Sequence, residues 1–382
     1  MLGLLARAFP AAFVLLSKIG VEPWQPSCDI GHMLDPLAVL ATRGGAKVSS
    51  RPQPSPVATR REASMLRALG YGFLIATTLS AGSAHAAWPE RTVTIVTPFA
   101  AGGIADVVAR LTAERLQSSL KQNFVVENVS GAGGTAGPER VAKATPDGYT
   151  LMSTPIFQLT TAKFAQNVTF DENTFKPISG VASAPFAITV NESFPGKTLA
   201  DFVAYVKANP GKLSFGSAGA GSTTHVAAVM VLKAAGLDMI HVPYRGVAPA
   251  FTDLLAGHIV MVAGSPVELK PYMESGKLRA LAVLDTKPSP FLPGVPLVTD
   301  TLKDCPPAVT YNGLLGPANI PKDVVDTLSG TLVAARQSPE FMQRFSNVGL
   351  QPLLTTSDEF AKIFAQDAAV WNGIMPSLGL KK

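Results

Sequence analysis

The chain is poor in charged residues and in cysteine. Charged residues make up only 15% of its 382 residues, while hydrophobic residues make up 47%, which excludes disorder for most of the chain. The two cysteines, Cys28 and Cys305, cannot build a disulfide framework or a thiolate metal site. The sequence also lacks a G-x-S-x-G elbow, an H-E-x-x-H motif and a Walker loop. We therefore expect no metal, no cofactor and no enzymatic activity.

A strong charge of one sign is also missing from the main body. Residues 1–86 hold eight of the 32 basic and four of the 27 acidic residues, which leaves 24 basic and 23 acidic residues from Ala87 onward. The body is therefore nearly neutral, although the formal net charge of the whole chain is +5. Binding to nucleic acid needs a basic surface that displaces counterions. We expect no nucleic-acid partner.

Residues 65–86 have the three parts of a secretory signal. Arg67 supplies the positive charge, residues 72–79 the apolar core, and Ala84-His85-Ala86 the small-x-small cleavage pattern. The core is far shorter than the ~20 residues that a membrane-spanning helix needs. We predict export with cleavage after Ala86. Because signals begin chains, we interpret residues 1–64 as a start-site artefact or a disordered extension.

From Ala87 onward, short β-branched segments alternate with segments of helical periodicity. The predicted strands cover residues 92–98, 124–127, 149–153, 186–190, 213–216, 240–243, 259–263, 278–283 and 311–315. The predicted helices cover residues 106–122, 138–144, 198–209, 224–235, 248–256, 321–338, 339–348 and 357–378. This β-α-β order predicts two α/β lobes with mostly parallel sheets and a ligand cleft between the lobes. We expect residues 87–187 and 306–382 to form lobe 1, and residues 188–305 to form lobe 2.

Two glycine-rich segments each join a strand to a helix, from Phe99 to Asp106 and from Ser217 to His225. Glycine lets the backbone approach a ligand closely, and the free N–H groups at a helix start attract anions. Both segments lack Lys and Arg, so backbone N–H groups and hydroxyls would hold an anion there. The alternative is a pair of ordinary turns, capped by Asp106 and by Ser222 or Thr223.

A third glycine-rich segment, residues 131–137, matches the dinucleotide fingerprint G-x-G-x-x-A. The fingerprint expects an acidic residue at the end of the next strand, but Asp147 lies in a turn before that strand. We expect no dinucleotide there. Ser217 or Ser222 could pair with His225 as a nucleophile and base, but the sequence supplies no orienting acid.

Several motifs occur together in an order that resembles a known family. They are PFAAGG-x-x-D, VVEN-x-x-GAGG, PDGYTL, GSAG-x-GS-x-x-H, PYRG-x-x-PA-x-x-DLL-x-G and SGKLRALAV. From Trp88 to Lys382 the chain is similar to the Bug family, the solute receptors of tripartite tricarboxylate transporters. The resemblance implies a type II periplasmic-binding-protein fold, a periplasmic location, a monomer, a small carboxylate ligand and a membrane transporter as partner.

The resemblance also implies which residues contact the ligand, mainly through backbone amides and ordered water. They are Phe99, Ala101, Gly102, Gly103, Ile104, Asp106, Ser153, Thr154, Ser217, Gly219, Gly221, Ser222, Thr223, His225 and Tyr244. Arg245 could pair with a ligand carboxylate, but we favour a structural role at the turn.

The sequence departs from the family pattern at two positions that border the cleft. Where the family places Phe-Asp, residues 262–265 read VAGS, and a tryptophan of the family is replaced within residues 310–313, TYNG. The missing acid would change which ligand fits. The same fold could also serve as a sensor for a signalling partner, and a serine hydrolase is the third alternative.

Overall fold

The computed structural model describes residues 88–380, which belong to one compact unit. The predicted signal sequence and residues 1–64 lie outside the described range. The strands are β1 (Val93–Thr97), β2 (Phe124–Asn128), β3 (Thr150–Pro155), β4 (Phe175–Pro185), β5 (Ala187–Asn191), β6 (Ser214–Ser217), β7 (Ile240–Pro243), β8 (Met261–Gly264), β9 (Leu278–Val283), β10 (Val309–Pro317) and β11 (Gln351–Pro352).

The helices lie between and after these strands. They are α1 (Ile104–Leu120), α2 (Ala136–Ala142), α3 (Ile156–Ala165), α4 (Leu199–Lys207), α5 (Thr223–Ala235), α6 (Val247–Ala256), α7 (Pro266–Glu274), α8 (Val298–Thr301), α9 (Lys322–Ala334), α10 (Pro339–Asn347) and α11 (Ser357–Leu378). Short 3-10 turns cover Ala132–Gly134, Glu172–Thr174 and Ala335–Gln337.

The strands form two sheets, one for each lobe. The first has the order β11-β4-β10-β3-β1-β2 and the second β7-β6-β8-β5-β9. Pairing is parallel between β1 and both β2 and β3, and between β6 and both β7 and β8. β10 and β5 instead run antiparallel to both of their neighbours. The prediction of mostly parallel sheets is therefore correct for the β-α-β cores and wrong for the strands around them.

The antiparallel strands have a topological cause. β5 enters the second sheet directly from β4, and its first residue, Ala187, pairs with the last residue of β8, Gly264. β10 likewise enters the first sheet from the second lobe, without a crossover helix beside it. A chain that arrives at the carboxyl edge of parallel strands must run against them, because only a crossover connection returns it to the other edge.

The two crossings between the lobes are hydrogen-bonded to each other. The Phe186 N–H donates to the Ala308 carbonyl at 3.0 Å, the Ala308 N–H to the Leu284 carbonyl at 2.9 Å, and the Leu284 N–H to the Phe186 carbonyl at 2.8 Å. This ring of backbone bonds ties together the two points at which the chain passes from one sheet to the other. The division into lobe 1 (residues 87–187 and 306–382) and lobe 2 (residues 188–305) remains a proposal.

Helix α11 packs against both lobes. Phe360 and Phe364, near its start, lie in a core with strand residues of the first sheet, whereas Trp371 and Met375, near its end, lie in the core of the second lobe. The Trp371 ring stacks on Phe157 with 4.7 Å between ring centroids. The tail therefore packs in the cores of both lobes.

Within residues 88–380, no helix combines the length and the apolar character needed to cross a bilayer. The same residues contain no group of three or more His, Cys, Asp and Glu side chains placed to hold a metal ion.

Candidate functional site

The first glycine segment turns from β1 into α1 and is held by Asp106. Gly102 has a φ of +92°, which L side chains rarely adopt. The Asp106 carboxylate accepts hydrogen bonds from the Gly102 N–H at 3.2 Å and from the side chains of Arg110 and Asn128. Burial raises the pKa of Asp106, but these hydrogen bonds outweigh it and hold the pKa below its usual range. Asp106 thus stabilises the loop as an ionised group, while Ala101 and Gly102 stay exposed.

The N–H group at the start of α1 is paired with a carboxylate from the second lobe. Glu268 on α7 is 7% exposed, and its Oε1 accepts from the Ile104 N–H at 2.8 Å. Its Oε2 accepts from the Ser265 N–H at 2.9 Å and from the Ser265 hydroxyl. Burial raises the pKa of Glu268, and the hydrogen bonds offset part of that rise. Sequence analysis missed Glu268, which is separated from Ile104 by 164 positions.

The second glycine segment uses much of its own hydrogen-bonding capacity. Its internal bonds run from Ala218 N–H to Thr224 Oγ1 (2.8 Å), Gly219 N–H to Ser217 Oγ (3.1 Å), Gly221 N–H to His225 Nδ1 (3.0 Å) and His225 N–H to Ser222 Oγ (3.3 Å). Ser222 is thereby the N-cap of α5, as one of the alternatives from sequence stated. These N–H groups are already satisfied within the segment, so they order the loop and leave fewer donors for a ligand than the sequence suggests.

The histidine beside Ser217 is His241, on β7, and not His225. Ser217 Oγ lies 2.6 Å from His241 Nε2. The His241 ring stacks on the His225 ring, with 3.8 Å between centroids. Burial lowers the pKa of His241 to about 4 and, together with His241, that of His225 to about 3. Both rings are therefore neutral at pH 7 and pack as aromatic groups.

Three buried side chains with an unpaired oxygen lie near the carboxyl ends of β1 and β3. Thr97 and Ser153 each follow the last residue pair of the two strands, Val96 with Met152, and Asn312 lies on β10 opposite Pro155. The Asn312 amide nitrogen donates to Thr310 Oγ1 at 3.4 Å. All three are fully buried. Within the described residues, Thr97 Oγ1, Ser153 Oγ and Asn312 Oδ1 have no hydrogen-bond partner. We call Thr97, Ser153 and Asn312 the polar patch.

The polar patch faces α1. Ile95, Leu151 and Leu314 each lie two positions from a patch residue on the same strand, and all three pack in the core that contains α1. Because alternate residues of a strand share a face, the patch residues point to that side too. Buried polar groups almost always have partners, since leaving one unpaired costs about 1–3 kcal/mol. The patch is therefore the best candidate for polar contacts to a ligand.

The sequence predicts both Ser153 and Thr154 as ligand contacts, but the structure places their side chains on opposite faces of β3. Ser153 belongs to the polar patch, whereas the Thr154 hydroxyl lies on the other face of β3 and donates to the Pro155 carbonyl at 3.4 Å. Thr97 was missed because a hydroxyl inside a β-branched strand segment looks like an ordinary core position. Asn312 was not named as a ligand contact, although it lies within residues 310–313, which the family resemblance placed at the border of the cleft.

The two lobes touch where the glycine segments meet. The Ala220 carbonyl, in the second segment, accepts from Gln166 Nε2 at 2.7 Å and lies against Gly133 of the third segment. The Ala100 N–H donates to the Arg245 carbonyl at 3.4 Å. The structure is thus a closed form. The third glycine segment, which resembles a dinucleotide fingerprint in sequence, serves as an inter-lobe contact.

Phe99 closes the cleft from the first lobe. It is 7% exposed and packs with Ala218, Val247 and other residues of the second lobe. Its ring also lies against Gly134, where an added Cβ would come within 2.5 Å of the ring. A small residue at position 134 is therefore needed for this ring to reach the second lobe.

Tyr244 and Arg245 follow β7 on the second lobe. The Tyr244 hydroxyl donates to Asp253 Oδ2 at 2.6 Å, and burial together with this carboxylate raises the pKa of Tyr244 to about 12. The hydroxyl thus anchors the turn to α6. Arg245 has an exposed side chain and contacts the first lobe through its carbonyl.

Comparison with known proteins shows which family the chain belongs to. Residues 108–380 match the family model described as the tripartite tricarboxylate transporter family receptor. The chain belongs to this receptor family. Among solved structures it is similar to the periplasmic binding protein BugD, with 33% identity and a TM-score of 0.73 over 77% of this chain and 100% of that one.

Two further solved structures have ligands. Rpa4515 of R. palustris with adipate shares 29% identity and a TM-score of 0.73 over 77% of this chain and 99% of that one. MatC (Rpa3494) from Rhodopseudomonas palustris with bound malate shares 27% identity and a TM-score of 0.72 over 75% of this chain and 100% of that one. The receptor therefore has the two-lobed fold of periplasmic binding proteins, as the sequence predicts.

Proposed function

We propose that this chain captures one small organic carboxylate between its lobes in the periplasm and delivers it to the membrane subunits of a tripartite tricarboxylate-type transporter. The observation that carries this proposal is the polar patch of Thr97, Ser153 and Asn312, which is buried and, within the described residues, has an oxygen without a partner on each side chain. The structures with adipate and malate support it, because both ligands are carboxylates.

The patch has the chemistry for a carboxylate. The Thr97 and Ser153 hydroxyls can each donate a hydrogen bond to an oxygen. The Asn312 amide can donate as well if its nitrogen exchanges Thr310 Oγ1, 3.4 Å away, for the ligand. The positive end of the α1 dipole adds attraction without a basic side chain. Hydrogen bonds to a charged group contribute about 1.5–3 kcal/mol each. Two or three of them, made in a site closed from water, suffice for capture.

Closure would link capture to delivery. Gly133, Gln166 and Ala100 of the first lobe contact Ala220 and Arg245 of the second only when the lobes are together. A transporter subunit that binds both rims at once would therefore distinguish the closed receptor from the open one. Export by the predicted signal sequence would place this step in the periplasm.

The contact between Ser217 and His241 is the one observation that favours a hydrolase. His241 has a pKa of about 4, which makes it a weak general base at neutral pH, and Ser217 is fully buried. The contact therefore fits a structural role better than a catalytic one. Turnover of small esters that disappears in Ser217→Ala would show that the chain is an enzyme.

A thermal-shift screen tests the proposed function. The purified chain without its signal would be heated with mono-, di- and tricarboxylates and, as controls, with sugars and amines of similar size. A ligand at 100 times its Kd adds about 2.7 kcal/mol of stability, which is an easily measured shift. We expect shifts with carboxylates alone. Shifts confined to sugars or amines would contradict the proposal.

A further inference from the structure

The start of α1 is where a carboxylate ligand would be expected to sit, and a carboxylate of the protein already occupies it. Glu268 reaches across the cleft from α7 and accepts from the Ile104 N–H at 2.8 Å. The approach is close, since a Cβ added to Gly103 would lie 3.7 Å from Glu268 Oε1. The N–H groups at a helix start and the helix dipole both favour a negative charge at this point.

Glu268 is bound there by several groups at once. Its carboxylate accepts from the Ile104 N–H, the Ser265 N–H and the Ser265 hydroxyl, and the residue is 7% exposed. The Ser265 N–H bond is the capping box of α7, which fixes the rotamer of the glutamate. Glu268 is therefore held in place by its own helix before the lobes close.

The three partners of Glu268 are neutral donors. Asp106, the other carboxylate of this region, is instead neutralised by Arg110 at 2.9 Å. Burial raises the pKa of Glu268, and no cation compensates a charge on it. A second carboxylate placed beside it would compete with it for the charge, because two carboxyl groups cannot both stay ionised in a site with little water without strong repulsion.

Resting on the proposed function, we infer that Glu268 is a specificity-determining residue that fills one anion position of the cleft and restricts the ligand to a monocarboxylate. The ligand's single carboxylate then binds at the polar patch, and its other end is uncharged. A dicarboxylate has to displace Glu268 from Ile104 or lie beside it, and either event weakens binding.

Titration calorimetry with matched acids tests this inference. The probes are pairs of equal carbon number, propionate with malonate, butyrate with succinate and hexanoate with adipate, added to the wild-type protein and to Glu268→Gln. The amide side chain of this variant can still accept from the Ile104 N–H but has no charge. We expect monocarboxylates to bind the wild type more tightly than their partners, and Glu268→Gln to bind dicarboxylates at least about tenfold more tightly, with little change for monocarboxylates.

The matched control is Glu274→Gln, which makes the same substitution at an exposed position of α7. It should leave all affinities unchanged. Dicarboxylates that bind the wild type as tightly as monocarboxylates, with no gain in Glu268→Gln, would overturn the inference and leave the proposed function intact. An α-amino acid that binds the wild type and is lost in Glu268→Gln would also overturn it, since Glu268 would then be a partner for an ammonium group. If no carboxylate binds either protein, the proposed function itself fails.

Discussion

Gly133 of the first lobe lies against the carbonyl oxygen of Ala220 of the second, so that a Cβ added to Gly133 would come within 2.1 Å of that oxygen. The gap is too small for any side chain, and the obstacle is backbone, which cannot rotate away. Contact between the lobes at this point therefore depends on a glycine.

Gly133→Ala should shift the protein towards an open form. We expect a larger radius of gyration by small-angle scattering and weaker ligand binding, because closure brings the new methyl group into the Ala220 carbonyl. Gly236→Ala is the matched control: Gly236 has a φ of +61°, against +59° for Gly133, but no atom within 4 Å. Both variants should lose about 1–2 kcal/mol from the left-handed backbone. Equal radii of gyration in the two variants would contradict the account of closure.

Removing a hydroxyl of the polar patch should lower affinity without harming the fold. Thr97→Val keeps the shape and deletes an oxygen that has no partner among the described residues. We expect the free energy of unfolding to stay level or to rise by up to about 1–3 kcal/mol, and affinity for the carboxylate to fall roughly tenfold. Calorimetry and thermal unfolding measure the two effects.

Thr112→Val is the matched control for Thr97→Val. Thr112 is also buried, but its hydroxyl donates to the Val108 carbonyl at 2.8 Å. Its loss should cost about 1 kcal/mol of stability and leave affinity unchanged. The polar patch would be excluded as the ligand site if Thr97→Val behaved in the same way as this control.

The stacked histidines predict a loss of stability in mild acid. The pKa of His225 falls to about 3 and that of His241 to about 4 in the folded protein, so only the unfolded chain takes up these protons below pH 6.5. Stability is therefore fully present above pH 6.5 and declines as pH falls, by up to about 1.4 kcal/mol per pH unit for the well-buried His225 and by less for the partly exposed His241.

Asp367 acts in the opposite direction. Burial raises its pKa to about 7, so the folded protein keeps a proton that the unfolded chain loses above pH 4, and stability from this group declines as pH rises towards 7. Glu268, whose pKa burial also raises, acts in the same direction as Asp367, so the contribution of the histidines is measured as the difference between a variant and the wild type in chemical denaturation between pH 6.5 and pH 5. Over this range His225→Gln should lose less stability on acidification than the wild type, while His258→Gln, at an exposed position, should match the wild type. An equal pH dependence in both variants would assign the effect to other groups.

Local periodicity was enough to predict most elements of the fold. The helices α9, α10 and α11, predicted from their amphipathic spacing, and the strand β1, predicted from its β-branched residues, each lie within a few residues of the prediction. Five elements were missed, namely α3, β4, α7, the short helix α8 and the two-residue strand β11. Helix α3 is almost entirely buried and so has no polar face to reveal its period. Helix α7 contains Pro271, which argues against a helix in sequence.

The site was only partly predictable, because a sequence shows loops one at a time. The glycine segments were recognisable as places of close approach, and the lobes do meet there. The sequence could not show that hydroxyls and His225 would occupy the amides of the second segment. Nor could it show that Glu268 would pair with Ile104, or that Gly133 would face Ala220, since both contacts depend on how the lobes come together.

Titration calorimetry of the best ligand from the carboxylate screen tests the central claim, capture of a carboxylate in the cleft, most directly. Gly219 has a φ of +121°, and a Cβ there would lie 2.8 Å from the Gly133 Cα across the cleft. Gly219→Val should therefore weaken binding by about tenfold or more. Lys277→Ala, at an exposed position outside the cleft loops, should bind one ligand per chain with wild-type affinity. Unchanged affinity in Gly219→Val together with a large loss in Lys277→Ala would place the ligand elsewhere and contradict the account.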